Sequence, residues 1–265
     1  GCRTPSLPAR VVARLGTVNP DALPPGTPVA PEWLVAGSLW RLEAPLDLFS
    51  RPGGDGLATQ ACAGRHLEIL EGLARGWLRV RLLEDGYPGW ISPNQLLGHA
   101  QAAGRPRARI WQRAAIEERL AQVLAFALAT LERPNTYLWG GSLGPNFDCS
   151  GLVQTAYASE GIWIPRDAYL QERFCQPVAV ASGVTHRLEP GDLIFFGSPQ
   201  RCTHVGLHLG DGRYLHSSGI SHGHNGLAID NLCPHNPNPV ARHYRQTLRG
   251  AGRVMRGHDG SPLPA

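Results

Sequence analysis

Glycine and proline constrain this chain more than any other feature of its sequence. The 265 residues include 32 Gly and 23 Pro, about a fifth of the total. Both residues interrupt regular structure, so this composition is typical of short strands joined by turns and argues against a helical bundle. A hydrophobic fraction of 42% still provides a substantial core. We therefore expect a turn-rich fold in one large domain or two unequal ones.

The charge of the chain points away from nucleic acids and membranes. Its 25 basic residues, all Arg, and 21 acidic residues leave a net charge of only +4. The one local cluster, Arg105 to Arg113, is interpreted as a solvated linker face. The longest apolar stretch, residues 120–131, is too short to span a bilayer. We expect neither a nucleic-acid partner nor a membrane partner.

Cysteine usage indicates a reducing compartment. The six cysteines are scattered, with no CxxC pair and no spacing typical of a zinc knuckle or a disulfide framework. They are predicted to be free thiols. The first residue is Gly and no signal pattern follows it, so we expect a cytoplasmic protein, or a periplasmic one if a signal was removed.

Composition shifts along the chain predict four segments. Residues 1–31 are a Pro-rich leader with little periodicity, to which no fold is assigned. Residues 32–104 contain short apolar–polar alternations between Gly, Pro and Asp turns, which predict a small all-β unit. Residues 105–256 form a second domain, and residues 257–265 a tail.

The second domain has the pattern of an α+β fold. Apolar residues at steps of three and four predict one amphipathic helix over residues 113–132. A second helix is predicted from about Asp148 to Gly161. Three strands follow, with the sequences DLIFF, HVGLHLG and YLHSS. Helices first and antiparallel hairpins afterwards is the order of an α+β domain.

One cysteine and two histidines of this domain suggest nucleophilic chemistry. Cys149 lies at the predicted start of a helix, where backbone N–H groups favour the thiolate. His204 and His216 lie on consecutive strands of one hairpin. If Gly210–Gly212 form a three-residue loop, the two imidazoles share a face, whereas a two-residue Asp-Gly turn places them on opposite faces. A nucleophile, a base and a group that orients the base make a catalytic triad.

Five motifs in this domain resemble the NlpC-type cysteine peptidases of bacterial murein, in family order and at family spacing. They are YLWGG (137–141), FDCSG (147–151), IPRDAYLQ (164–171), PGDLIFFG (190–197) and THVGLHLGDGRYLHSSG (203–219). Residues 46–70 and the EDGYPGWIS stretch resemble the bacterial SH3-like barrel of cyanobacterial-type γ-D-glutamyl-diaminopimelate endopeptidases. The resemblance implies an SH3-like barrel followed by a papain-like α+β peptidase domain.

The same resemblance implies roles for individual residues. Cys149 is the nucleophile, His204 the general base and His216 the third member of the triad. Tyr137 lines the site near the oxyanion, although a packed aromatic beside Trp139 is an equal alternative for it. Arg166 and Gln171 are assigned at most to the wall of the site, since Arg166 has Asp167 and Glu172 as alternative partners.

Three further residues match positions that bind the free amine of an N-terminal L-Ala. They are Asp148, Ser150 and Tyr87, the last in the barrel. Asp148 has a second interpretation, because Asp is among the best helix N-caps. Ser150 has one as an ordinary residue of the first helical turn.

No metal or other cofactor is expected. His204, His208, His216 and Cys149 together offer ligand types that zinc accepts, and His222 and His224 lie nearby, but closely spaced ligand pairs are missing. The resemblance also gives three of the four a metal-free role.

The sequence thus predicts a cysteine endopeptidase. It would hydrolyse the γ-D-glutamyl to meso-diaminopimelate amide of murein tripeptides or tetrapeptides with a free N-terminal L-Ala, during cell-wall recycling. The alternatives are a general murein hydrolase, a wall-binding module with a vestigial peptidase, and an acyltransferase that uses an acceptor other than water.

Overall fold

The computed structural model describes residues 23–263, and their contacts divide them into two compact units. Of the described residues, the first unit contains 23–57, 61–107 and 262–263, and the second contains 58–60 and 108–261. This division lies close to the boundary at 104/105 that composition predicts.

The first unit is built on a seven-stranded sheet, as the alternating pattern predicts. Its strands are β1 (Leu39–Leu42), β2 (Leu46–Phe49), β3 (Leu57–Ala61), β4 (His66–Ala74), β5 (Trp77–Leu82), β6 (Pro88–Ile91) and β7 (Ala100–Ala102). The strand order is β3-β2-β6-β5-β4-β1-β7. Alternate residues of β5 are buried, and they pack with Trp40 in one core. A strand with every second side chain buried covers that core with one face only.

The end of the predicted leader packs against this sheet. Residues 1–22 lie outside the described residues, but Pro28 forms a bridge with Gln101. Val29 is buried in the core of the unit together with Leu34. Packing of the first unit therefore begins before residue 32.

The second unit combines five helices with an antiparallel sheet. The helices are α1 (Arg113–Glu117), α2 (Leu120–Leu131), α3 (Cys149–Ala158), α4 (Ala168–Phe174) and α5 (Pro239–Gln246). The strands are β8 (Gln176–Val178), β9 (Leu193–Gly197), β10 (Cys202–Gly210), β11 (Arg213–Ser218), β12 (Gly226–Asn231) and β13 (Leu248–Arg253), in the order β12-β11-β10-β9-β13-β8. The predicted α+β class is confirmed.

The first predicted helix is two helices. Residues 113–132 break at Glu118 and Arg119, between α1 and α2. Both residues keep right-handed backbone angles, with φ, ψ of −63°, −18° and −103°, −10°. The chain thus turns without losing its helical sense, and the apolar spacing continues across the break: Ile116 and Val123 are both fully buried.

Helix α3 packs in the core of the second unit and carries the predicted nucleophile at its first residue. The sequence places this helix correctly, although it ends at Ala158 rather than Gly161. Eight of its ten residues are buried, and it lies against β10. A helix covered to this degree holds its N-terminus rigidly. Among the described residues, no helix is both long and apolar enough to cross a membrane.

Candidate active site

Cys149 begins α3, and Asp148 caps that helix. The Asp148 carboxylate Oδ1 accepts a hydrogen bond of 2.7 Å from the backbone N–H of Gly151. This bond satisfies one of the amide groups that a helix leaves unpaired at its start. The cap fixes the direction in which the helix begins, and with it the position of the Cys149 side chain.

Burial decides the ionisation of the nucleophile. Only 7% of Cys149 is exposed. Burial, reinforced by the Asp148 carboxylate, raises the pKa of the thiol to about 12, although the N–H groups of Val205 and Ser150 act in the opposite direction. Desolvation therefore opposes the thiolate that the helix start is expected to favour, and the two influences on the pKa act in opposite directions. In the free protein, burial thus favours the neutral thiol of Cys149.

The sulfur of Cys149 lies against the strand that carries His204. Its Sγ is 4.0 Å from the carbonyl oxygen of Thr203, the residue before His204. The backbone N–H of Val205, the residue after His204, lowers the pKa of the thiol through a hydrogen bond. The two residues that flank His204 thus both meet the nucleophile. This contact joins the start of α3 to β10.

The hairpin of the two histidines closes with a two-residue turn, not with the three-residue loop that keeps both imidazoles on one face. Gly210 pairs with Arg213, which leaves Asp211 and Gly212 as the turn. Their φ angles are 55° and 74°. Positive φ at both central residues is typical of a type I′ turn, and Asp and Gly tolerate it well.

A β-bulge restores the predicted alignment of the histidines. The register shifts just after His208, and Leu209 is the extra residue. One extra residue reverses the facing that the tight turn alone would impose. His204 and His216 consequently share a face of the sheet, as predicted, but for a different reason.

Four polar side chains form a chain of hydrogen bonds behind the nucleophile. His204 Nε2 lies 2.7 Å from His216 Nδ1, and His216 Nε2 lies 2.6 Å from Asp230 Oδ2. His224 Nε2 lies 2.9 Å from the same oxygen. The first three groups are buried, while the His224 side chain is 28% exposed. The chain therefore runs from the buried base towards solvent.

This chain fixes which nitrogen of each imidazole carries the proton. Burial opposes ionisation of Asp230, but hydrogen bonds from His216 and His224 outweigh it and lower the pKa of the carboxyl. An ionised carboxylate only accepts, so we assign the proton of neutral His216 to Nε2. His216 Nδ1 then accepts from Nε2–H of His204. The Nδ1 lone pair of His204 stays free to take a proton.

The surroundings of both predicted triad histidines favour the neutral imidazole. Burial lowers the pKa of His204 well below 6.5, and the neighbouring His216 and His243 lower it further. Burial also lowers the pKa of His216, although its bond to Asp230 opposes the shift. Tyr244 of α5 stacks on the His204 ring, with ring centroids 4.2 Å apart. A neutral imidazole beside a neutral thiol fits general-base activation during attack.

Asp148 makes a buried ion pair with Arg166. The guanidinium contacts both carboxylate oxygens, with Nη1–Oδ1 at 3.0 Å and Nη2–Oδ2 at 2.9 Å. The N–H groups of Gly140 and Gly151 occupy the remaining acceptor positions. A carboxylate accepts about four hydrogen bonds, so the structure favours the capping role that the sequence left open for Asp148. Binding of a substrate amine by Asp148 stays a prediction.

Arg166 and Gln171 are buried supports of the site. Arg166 is 1% exposed and pairs with Asp148, a partner that the sequence analysis did not consider. Its Nη1 also donates to Ser150 Oγ at 2.9 Å. The Gln171 amide donates to the carbonyl oxygens of Ser150 and Pro165 at 3.1 and 2.8 Å. These bonds hold the first turn of α3 from two directions.

The structure relates Tyr137 to the surroundings of Cys149 and Tyr87 to those of Asp85. Tyr137 is half-buried, and burial, together with the charges of Cys149 and Asp148, raises the pKa of its phenol. It therefore shares the electrostatic environment of the nucleophile and stays protonated, as an oxyanion donor must. Tyr87 lies in the first unit, where its N–H donates to Asp85. Its role at the substrate amine stays a prediction.

His208, one of the four possible zinc ligands named from the sequence, has both ring nitrogens engaged in hydrogen bonds. Its Nδ1 contacts the carbonyl oxygen of Glu189 at 2.8 Å, and its Nε2 accepts from the N–H of Gly212 at 3.0 Å. His208 thus stabilises the hairpin turn with both nitrogens. Among the described residues, one other group, His216, His224 and Asp230, places possible ligand atoms within 4.8 Å of one another. Hydrogen bonds already account for that arrangement.

Sequence reasoning missed Asp230 and Tyr244. Asp230 lies on β12, opposite Tyr214 on β11, and so diagonal to His216. An acidic residue in the otherwise apolar run LAID was the available signal, because a carboxylate in a buried strand needs a partner. Tyr244 offers no comparable signal.

Comparison with known proteins identifies both regions. Residues 134–244 match the NlpC/P60 family, and residues 48–96 match the bacterial dipeptidyl-peptidase Sh3 domain. The NlpC/P60 match includes the start of α3, His204, His216 and Asp230. A crystal structure of an NlpC/P60 family protein from Bacillus cereus shares the fold, with a TM-score of 0.62 at 20% identity over 82% of this chain and 100% of that one.

Two curated relatives match part of this chain. A γ-D-glutamyl-L-lysine dipeptidyl-peptidase of Bacillus cereus is 45% identical over 84 residues, 31% of this chain and 24% of the relative. A bifunctional muramidase/DL-endopeptidase of Bacillus subtilis is 40% identical over 92 residues, 32% of this chain and 26% of the relative. The chain thus spans about a quarter of the length of these relatives.

Proposed function

We propose that this protein is a γ-D-glutamyl-diamino acid endopeptidase. It hydrolyses the amide between γ-D-Glu and the diamino acid of murein peptides with a free N-terminal L-Ala, and releases L-Ala-γ-D-Glu. The observation that carries the peptidase chemistry is the hydrogen-bonded series from His204 through His216 to Asp230, beside Cys149 at a capped helix start.

The geometry supports the following sequence of steps. His204 Nδ1 takes the proton of the Cys149 thiol as Sγ attacks the γ-carbonyl carbon, and the oxyanion forms near the helix start and the Tyr137 hydroxyl. The imidazolium gives its proton to the departing amine, which leaves a thioester of L-Ala-γ-D-Glu. Water, deprotonated by His204, hydrolyses that thioester and restores the thiol.

The choice of substrate is supported by the names of the relatives. Two of them, from Bacillus cereus and Bacillus subtilis, are named γ-D-glutamyl-L-lysine dipeptidyl-peptidases. Removal of a dipeptide requires a free amino end. Residues 48–96 also match a domain described from a dipeptidyl-peptidase.

Recycling of murein peptides in the cytoplasm is the second part of the proposal. Five free cysteines, of which Cys62 and Cys233 are exposed, lie among the described residues. Exposed free thiols suit a reducing compartment. A substrate with a free L-Ala amine is a released peptide rather than the intact wall, in which that amine is bound to muramic acid.

Mass spectrometry of the purified protein with L-Ala-γ-D-Glu-meso-diaminopimelate tests the proposal. We expect the free dipeptide and diaminopimelate as products. The same peptide acetylated at its amine should be cleaved at least tenfold more slowly, since a bound ammonium contributes about 1.5–3 kcal/mol. Equal cleavage of both peptides would indicate a general murein hydrolase instead. An added amine that captured the acyl group would indicate an acyltransferase.

A further inference from the structure

The peptidase unit has a cavity at the start of β10, the strand that carries His204. It has a volume of about 450 Å³. Helix α4 lines it with Tyr169, Glu172 and Arg173, the turn between β9 and β10 with residues 200–202, and β13 with Arg249. None of these residues belongs to the triad or to the cluster around Arg166.

The cavity carries an excess of positive charge. Glu172 accepts two hydrogen bonds from Arg249, at 3.0 and 3.1 Å, so these two charges balance. Arg173 and Arg201 remain, and within residues 23–263 neither has a carboxylate within ion-pair distance. Guanidinium groups without a carboxylate partner are the groups that carboxylates and other anions prefer as ligands in proteins.

One aromatic ring holds the two arginines in place. The guanidinium carbon of Arg201 lies 4.8 Å from the centroid of the Tyr169 ring, and that of Arg173 lies 5.4 Å from it. Stacking on tyrosine restrains a long side chain while its N–H groups stay available. The pair is therefore positioned before any ligand arrives.

One end of the cavity adjoins a residue that contacts the sulfur of Cys149. Cys202 lines it, and the carbonyl oxygen of the next residue, Thr203, is 4.0 Å from Cys149 Sγ. A residue step adds about 3.8 Å. The Cys202 end of the cavity thus lies roughly 8 Å from the sulfur, a distance that one amino-acid side chain spans.

We propose that Arg173 and Arg201 bind the side-chain carboxylate of the diamino acid that leaves, and so select diaminopimelate over lysine. This inference rests on the proposed endopeptidase function. Diaminopimelate and lysine differ by one carboxylate at the far end of the side chain, about 7.5 Å from the scissile nitrogen when extended. Lysine presents only an ammonium there, which two arginines repel.

Cleavage of three matched tripeptides tests the inference. They are L-Ala-γ-D-Glu linked to meso-diaminopimelate, to diaminopimelate amidated at its side-chain carboxylate, and to L-Lys. All three keep the same amino end and the same scissile amide. We expect kcat/KM to be at least tenfold higher for the free carboxylate than for the other two.

Substitution of the two arginines tests whether they cause the preference for diaminopimelate over lysine. The double variant Arg173→Gln, Arg201→Gln should lose roughly tenfold in kcat/KM on the diaminopimelate peptide. On the lysine peptide kcat/KM should not fall and should rise if anything, because the charges that repel its ammonium are gone. Arg213→Gln, which removes an exposed charge at the far end of the β10–β11 hairpin, is the matched control and should leave the preference intact.

The outcomes separate this inference from the proposed function. Equal cleavage of all three peptides by the native protein, or an equal loss on all three in the double variant, would overturn the carboxylate site while the endopeptidase function stands. Cleavage of none of them would overturn both. Calorimetric titration of Cys149→Ala with the diaminopimelate and lysine peptides gives an independent measurement: equal affinity would also overturn the site.

Discussion

Replacement of Asp230 by Asn tests the outer end of the catalytic series. The carboxylate side chain is 4% exposed and accepts from His216 Nε2 at 2.6 Å. Asn keeps the shape but loses the charge, and its amide can turn a donor towards Nε2. The proton of His216 would then move to Nδ1, which places the proton of His204 on its own Nδ1. In that form His204 cannot accept the thiol proton.

The expected loss follows from the bond that is weakened. A buried hydrogen bond to a charged group contributes about 1.5–3 kcal/mol, which corresponds to roughly a ten- to hundredfold fall in kcat. In a Ser-His-Asp triad the same replacement costs about 10⁴ in kcat, but there the carboxylate contacts the base directly. Asp230 acts through His216, so the smaller figure applies. KM should change little because Asp230 does not touch the substrate.

The assay needs a readout that reports on the proton and not only on turnover. Steady-state cleavage of the tripeptide gives kcat and KM, and nitrogen-15 chemical shifts of the imidazoles identify the protonated nitrogen of each ring. Asp192→Asn is the control, because Asp192 is also buried but pairs with Arg253 at 2.9 Å, away from the triad. It should lower stability and leave kcat unchanged. Native kcat and native tautomers in Asp230→Asn would refute the reasoning.

Three other expectations concern ionisation and burial. Iodoacetamide at neutral pH should label Cys62 and Cys233 before Cys149 in the free protein, because the first two are exposed and burial raises the pKa of Cys149 to about 12; peptide mass spectrometry that found Cys149 labelled first would contradict this. Activity needs neutral His204, whose pKa lies well below 6.5, so kcat/KM should persist as pH falls through 6.5 and be lost only at lower pH; a midpoint above 6.5 would exclude the assignment. Arg166→Met should lower the free energy of unfolding by about 3–5 kcal/mol in urea titrations, since it leaves a buried carboxylate unpaired, whereas a loss below 1 kcal/mol would show the pair to be unimportant.

Local patterns carry most of what the sequence predicts of the fold. The start of α3 follows from Asp148 as a cap before an apolar run, and the strands around both histidines follow from their alternation. The break at Arg119 escapes prediction because the backbone stays in the right-handed region and the apolar period continues. The spacing of apolar residues shows which side chains face the core, and the turn at Arg119 leaves the same side chains facing the core.

The candidate site is less predictable where partners come from distant segments. Arg166 and Asp148 are separated by 18 positions, and the sequence offers nearer carboxylates to the arginine. Asp230 joins His216 only because β12 pairs with β11. The ionisation of Cys149 depends on how much water reaches it, a property of the packed domain that a helix start alone does not determine.

The bulge at Leu209 also determines where the β10–β11 hairpin can gain or lose a residue without separating the two histidines. It absorbs one residue between the tight turn and the paired strands. If Leu209 were deleted, β10 and β11 would form a regular ladder in which every residue keeps its present partner on the other strand. Loss or gain of a single residue elsewhere along the hairpin would instead turn one of the two histidines to the opposite face of the sheet. Insertions and deletions in relatives should therefore collect at this position, or occur in pairs.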